Sequence, residues 1–466
     1  MNGIDKQALY GHLVETYRKR RPRSYELYQR ARRSLIKGGS HTLRLMEPFP
    51  FYDVRCQGAK ITDADGFDLI DFWQGHFANV LGHNSQVVLK GLQEYFKGGQ
   101  GLLTGFPGTL QIELAELLLS RIEAEKIRFT TSGTLATMYT VMMARAFTGR
   151  SLVLKIGGGW HGAQPYLLKG ISHCRKGLDE VESAGLPFQI DASILMTRFN
   201  DLDDLKDRFK KDGDRIACLI IEPFVGAGGF LFAEPEYIHT ARKLTQKYGA
   251  LLIFDEVISG FRFNAGGVQK LYGVRPDLSV FGKTIGGGMP VSAVAGREDI
   301  LNLCSPEAPM GSKVKFEGGT FSAHPASMLA GKLYLQYLIE NEETIYSSIG
   351  AMGDRARSEI EKILRSHGFL VRCSGKDPSV VSSSSCVGVH FLNEDAEKIR
   401  SPEQVWNSRL ADYEMREKLF KLAMVNEGFY VFHGFGSVSF AHQMEDITAS
   451  LDAVDRIGRL FASYRK

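Results

Sequence analysis

Two acids and a lysine in this chain stand where reactive groups are usually placed. The apolar run Leu251-Leu252-Ile253-Phe254 stops abruptly at Asp255 and Glu256. Further on, Leu278-Ser279-Val280-Phe281 stops at Gly282-Lys283-Thr284-Ile285, followed by three glycines and Met289-Pro290. Apolar runs of this kind suit strands buried on both faces of a parallel sheet. Side chains at their C-terminal ends fall where open α/β sheets form a ligand crevice. An acid and a lysine are thus expected at neighbouring strand ends, beside backbone stripped of side chains.

A lysine there is desolvated, so its pKa falls toward neutrality and its amine can attack a carbonyl to form a Schiff base. The cofactor that combines such a lysine with an acid on a pyridinium nitrogen is pyridoxal phosphate. The plain alternative is a core salt bridge between Asp255 and Lys283, an arrangement that adds little stability once desolvation is counted. On these residues alone both readings stand.

The elements that would position the pair follow a βαβ rhythm. Strands are expected at 127–129, 151–156 and 217–221, and a helix at 237–248 returns the chain to the run at 251, so a mostly parallel sheet with helices on both faces is predicted. Thr130-Thr131-Ser132-Gly133-Thr134 opens a helix. Its free N–H groups and dipole suit a phosphate, although a plain N-cap uses the same residues. Trp160 lies within Gly157-Gly158-Gly159-Trp160-His161-Gly162, where an indole at a strand end can lie flat on a heteroaromatic ring. Upstream, two helices over 4–36 meet at Pro22, and a hairpin turns at Asp65-Gly66 and continues into Leu69-Ile70-Asp71-Phe72. Buried helical spacing is expected over 110–118 and a long helix over 326–340. Strands follow at 387–391 and 428–431, and a helix over 446–463 closes the chain. Residues 169–193 look like an insertion or lid, and 376–386, KDPSVVSSSSC, like a flexible surface loop.

Composition narrows the class. At 466 residues the chain exceeds one simple core, and 44% hydrophobic with 24% charged residues is ordinary for a soluble protein. A net charge of +4 is too small to imply a nucleic-acid partner. The run Arg18-Lys19-Arg20-Arg21-Pro22-Arg23 is read as a solvated helix end rather than a nucleic-acid patch. Cys56, Cys174, Cys218, Cys304, Cys373 and Cys386 are scattered without a CxxC pair, which suggests neither disulfides nor a metal site and fits a cytoplasmic protein. No stretch approaches a membrane span, and the N-terminus lacks a secretory h-region.

FDEVISGFR and FGKTIGGGMPVSAVAGR resemble the sheet-end acid and lysine motifs of the class III aminotransferases, fold type I pyridoxal phosphate enzymes. Within them the chain is most similar to the branch holding glutamate-1-semialdehyde 2,1-aminomutase and the β-amino-acid aminotransferases, from about Gly38 onward. The resemblance implies an α/β large domain with a mostly parallel seven-stranded sheet over 109–325. It also implies a small α+β domain from 37–108 and 326–466, behind a helical extension at 1–36. Lys283 would carry the cofactor with Asp255 on its ring nitrogen, and Ser132, Gly133 and Thr134 would take the phosphate. Trp160 would stack on the ring, with His161, Glu222 and Val257 around it. Thr320, in Gly318-Gly319-Thr320, would reach the phosphate of a neighbouring subunit, which implies a homodimer with shared sites. Arg44 is the candidate for a substrate carboxylate, and His76 stands where the aminomutase typically has tryptophan. Leu135 replaces a common glutamate. The implied activity is transfer of an amino group from an amino acid, β- or ω-amino acids included, to a keto acid or aldehyde. The alternatives are an intramolecular aminomutase and an inactive binding or regulatory relative.

Overall fold

The computed structural model describes residues 3–172 and 177–466; Cys174 and part of the expected insertion lie outside the described residues. Two helices, Lys6–Arg20 and Pro22–Ala31, open the chain. Pro22 at the start of the second helix costs no hydrogen bond there, and it breaks the first helix behind it. The basic joint is not simply solvated. Arg21 is 2% exposed, its Nε donates to Asp63 Oδ2 at 3.0 Å, and its guanidinium lies 4.7 Å from the Tyr17 ring centre. The other cations of the run face solvent.

β1 (Asp53–Gln57), β2 (Lys60–Asp63) and β3 (Asp68–Asp71) form an antiparallel meander. The large sheet contains β4 (Lys126–Thr130), β5 (Leu152–Ile156), β6 (Ile194–Thr197) and β7 (Ile216–Ile221). After a small hairpin of β8 (Phe224–Val225) and β9 (Leu231–Phe232), it takes in β10 (Leu251–Glu256), β11 (Leu278–Phe281) and β12 (Ser292–Gly296). Its order is β4-β12-β11-β10-β7-β5-β6, and only β12 runs against its neighbours. Every residue of β5, β7, β10, β11 and β12 is buried, as strands covered by helices on both faces must be. This is the fold type I architecture.

Four strands complete the chain: β13 (Val371–Ser374), β14 (Cys386–Phe391), β15 (Phe429–Tyr430) and β16 (Gly434–Ser437). β13, β14 and β16 form a three-stranded sheet, whereas β15 pairs in parallel with β3, so the two ends of the chain share one sheet. The helix Glu342–Ser366 packs on β13 and β14, Met444–Ser463 packs on that helix, and Pro325–Glu340 packs on the helices Gln86–Lys97 and Thr109–Leu119.

Two local expectations fail. Residues 376–386 are not a loose surface loop: Val381, Ser384, Ser385 and Cys386 are buried, and Asp377 Oδ2 accepts from Lys398 Nζ at 2.7 Å. A serine-rich stretch reads as mobile by composition, but here the Ser384 N–H donates to Asp354 and its carbonyl accepts from Arg357. Ile112, expected in the core, is 55% exposed, while Leu114 and Leu118 are the buried face of their helix.

Candidate functional site

Asp255 and Lys283 do not pair with each other, which disposes of the core salt bridge. The Asp255 carboxylate is shared between His161, with Nδ1 2.7 Å from Oδ2, and the N–H of Val257, which donates to Oδ1 at 3.0 Å. Burial holds the His161 pKa below its ordinary value against the pull of Asp255. The neutral ring therefore places its proton on Nδ1, toward the carboxylate. Its Nε2 is buried and finds no partner among the described residues. Lys283 is half-buried, and its φ of +48° is in the left-handed region that non-glycine residues avoid, a strain typical of functional positions. Burial lowers its pKa, opposed by Asp255 and Glu222 and assisted by Arg262.

Glu222, just past the end of β7, accepts from Trp160 N at 2.6 Å and from Gly226 N at 3.3 Å. Burial, with Asp255 nearby, pushes its pKa up to about 8. Ser132 caps the helix Gly133–Thr148 by accepting from Leu135 N at 3.3 Å, so the first-turn N–H groups of Gly133 and Thr134 remain open. The floor beneath them is close-packed. A Cβ at Gly133 would lie 3.0 Å from Val257 Cγ2, and one at Gly162 (φ +82°) 2.6 Å from Thr134 Cα.

Ser132, Gly133, Thr134, His161, Glu222, Asp255 and Lys283 line one cavity of about 1030 Å³, together with Trp160 (38% exposed), Arg44 and His76. The two substrate candidates meet there, with Arg44 Nε donating to His76 Nε2 at 3.3 Å. Burial first, then the nearby His41, Arg44, Lys283 and Lys421, drops the His76 pKa to about 3, so it stays a neutral acceptor. The Trp73 and His41 rings pack on it at 4.0 and 4.8 Å. Thr320 is exposed and lies outside this cavity.

Sequence reasoning gave no role to three residues around the site, of which it had singled out Glu256 alone. Lys155 is fully buried in β5, its Nζ donates to the Lys169 carbonyl at 2.9 Å, and burial lowers its pKa to about 7. Its signal was a lone cation inside Leu152-Val153-Leu154-Lys155-Ile156. Glu256 accepts from Val268 N and Gln269 Nε2, and burial raises its pKa to about 7. Arg262 closes the FDEVISGFR stretch and is 1% exposed.

The donor set fits pyridoxal phosphate. Open N–H groups at a helix start suit its phosphate, an anchored carboxylate its ring nitrogen, and an unpaired, desolvated amine its aldehyde. Fold and site together define a fold type I pyridoxal phosphate enzyme. The family model for class III aminotransferases matches residues 44–376, and the chain belongs to that family. It is 33% identical to glutamate-1-semialdehyde 2,1-aminomutase of Thermoplasma acidophilum, over 93% of this chain and 98% of the relative. It is 34% identical to the protein of the same name from Akkermansia muciniphila, over 92% and 97%. Among solved structures it resembles an omega-transaminase from Sphaerobacter thermophilus (TM-score 0.83, 29% identity, 94% and 97% covered). It also resembles a β-phenylalanine aminotransferase from Variovorax paradoxus (TM-score 0.84, 27% identity, 97% and 96% covered). No helix among the described residues is long and apolar enough to cross a membrane.

Proposed function

We propose that the protein is an aminotransferase that takes an amino group from a carboxylate-bearing donor, β- and ω-amino acids included, and passes it to a keto acid or aldehyde. The observation that carries this reading is the Arg44–His76 pair in the cavity of Lys283. His76 holds Arg44 by Nε, which leaves both terminal nitrogens free for a bidentate grip on a carboxylate.

Pyridoxal phosphate, when bound, supplies an electrophilic aldehyde and an electron-accepting ring. Lys283 would contribute the amine that holds it, and its Nζ would accept and return the substrate carbon's proton. Asp255, oriented by His161 and Val257 N–H, sets a fixed negative charge for the ring nitrogen. Gly133, Thr134 and the Ser132 cap face the phosphate. Trp160 would lie against the ring, and Glu222 would hold a proton near it. Thr320 serves the neighbouring subunit of a homodimer.

A second reading, an intramolecular aminomutase, is favoured by the names of the curated relatives. The two are separated by a product assay with and without an added keto acid. An aminotransferase turns over catalytically only with an acceptor; an aminomutase turns over without one. Arg44→Ala should raise the KM of the amino acid donor roughly tenfold to hundredfold, since hydrogen bonds to a charged group contribute about 1.5–3 kcal/mol. An unchanged KM removes Arg44 from the site.

A further inference from the structure

Four consecutive residues at the cavity, of which Gly75 and His76 line it, have left-handed backbone: Gln74 (φ +47°), Gly75 (+62°), His76 (+60°) and Phe77 (+66°). Three of them carry a Cβ. Such a turn persists only when its surroundings over-determine it, and left-handed runs cluster where function needs them. Here the turn carries His76, the residue that holds Arg44.

The turn is gripped at both ends. At its start, the Asp71 carboxylate accepts from Trp73 N at 2.8 Å and from Gln74 N at 3.0 Å, and the Gln74 amide donates back to the Asp71 carbonyl at 2.9 Å. At its end, Arg262 Nη2 donates to the carbonyl of Phe77. Arg262 is 1% exposed, and among the described residues it makes no ion pair and its Nε and Nη1 find no hydrogen-bond partner. A buried guanidinium without a carboxylate is costly. Burying one to bond a single main-chain oxygen therefore needs a reason beyond stability. Arg262 follows β10 by six residues, so this bond ties the strand end that carries Asp255 to the turn that carries His76.

We propose that Arg262 is a positioning residue for the substrate pocket. By holding the Phe77 carbonyl it locks the Gln74–Phe77 turn left-handed and keeps His76 against Arg44. Its relevance to substrate rests on the reading of Arg44 as the carboxylate ligand; its hold on the turn does not. The guanidinium also adds a positive charge near Lys283, where it works with burial to lower that amine's pKa.

The test uses the holoenzyme with Arg262→Lys and Arg262→Gln. Hydrogen–deuterium exchange at the amides of Phe77 and Ala78 should rise about tenfold or more in both, with β10 unchanged. The KM of the amino acid donor should rise about tenfold while kcat stays within about twofold. Arg262→Gln, but not Arg262→Lys, should raise the pH midpoint of the bound cofactor's absorbance change. Unaltered exchange at the turn in both variants overturns the proposal. If exchange rises but KM does not, and Arg44→Ala also leaves KM unchanged, the carboxylate reading fails while the hold on the turn stands. Should neither variant fold, a crystal structure of the wild type decides. A Phe77 carbonyl bonded to Arg262 in a left-handed turn supports the proposal, and a carbonyl turned away refutes it.

Discussion

Replacing Glu222 with glutamine should make the protein more tolerant of alkali. In the native state burial and Asp255 raise the Glu222 pKa from 4.5 to about 8, whereas in the unfolded chain it titrates near its ordinary value. Between these values the native state holds a proton that the unfolded state has lost, so this group's contribution to stability is intact below pH 4.5 and declines as pH rises through about 8. Each unit is worth about 1.4 kcal/mol. The full shift would be about 5 kcal/mol, and water admitted by the cavity should screen it to roughly half of that. Glutamine keeps the acceptor for Trp160 N but turns an amide toward Gly226 N, at a pH-independent cost of about 1 kcal/mol. Urea unfolding of wild type and Glu222→Gln from pH 5 to 9 should therefore give curves that diverge by about 2–3 kcal/mol in favour of the variant toward the alkaline end. Parallel curves would show that Glu222 is ionised throughout and does not store a proton.

Other outcomes follow from the same contacts. Asp63→Ala should destabilise the protein by about 3–5 kcal/mol, read by urea unfolding, because it strands Arg21 as an uncompensated buried charge. Ser132→Ala should cost about 1 kcal/mol of stability through the lost cap and also weaken cofactor binding, measured as the dissociation constant in fluorescence titrations. Lys283→Ala should lower turnover by at least about 10³-fold without unfolding the protein, checked by activity and circular dichroism.

The parallel sheet was legible because its strands are unbroken apolar runs with chemistry at their C-terminal ends; β10 and β11 both ended where the sequence placed them. That Asp255, Lys283 and the helix start at Ser132 come together in one cavity was legible for the same reason, since they mark strand ends and one cap. What remained hidden depends on long-range contacts. Nothing local says that Arg21, in a run of exposed cations, finds Asp63, or that the serines of 376–386 meet Arg357. Nor does the string Gln74-Gly75-His76-Phe77 announce a left-handed turn, because its conformation is imposed from outside by Asp71 and Arg262. Lys155 was overlooked inside a strand, although a lone lysine in a fully buried run needs a partner, here the carbonyl of Lys169.

The most direct test of the central claim is chemical. Borohydride reduction of the holoenzyme followed by peptide mass mapping should place the pyridoxyl group on Lys283. Label on another lysine, such as the buried Lys155 or Lys421 whose pKa values burial also lowers, or on no lysine, would contradict the account.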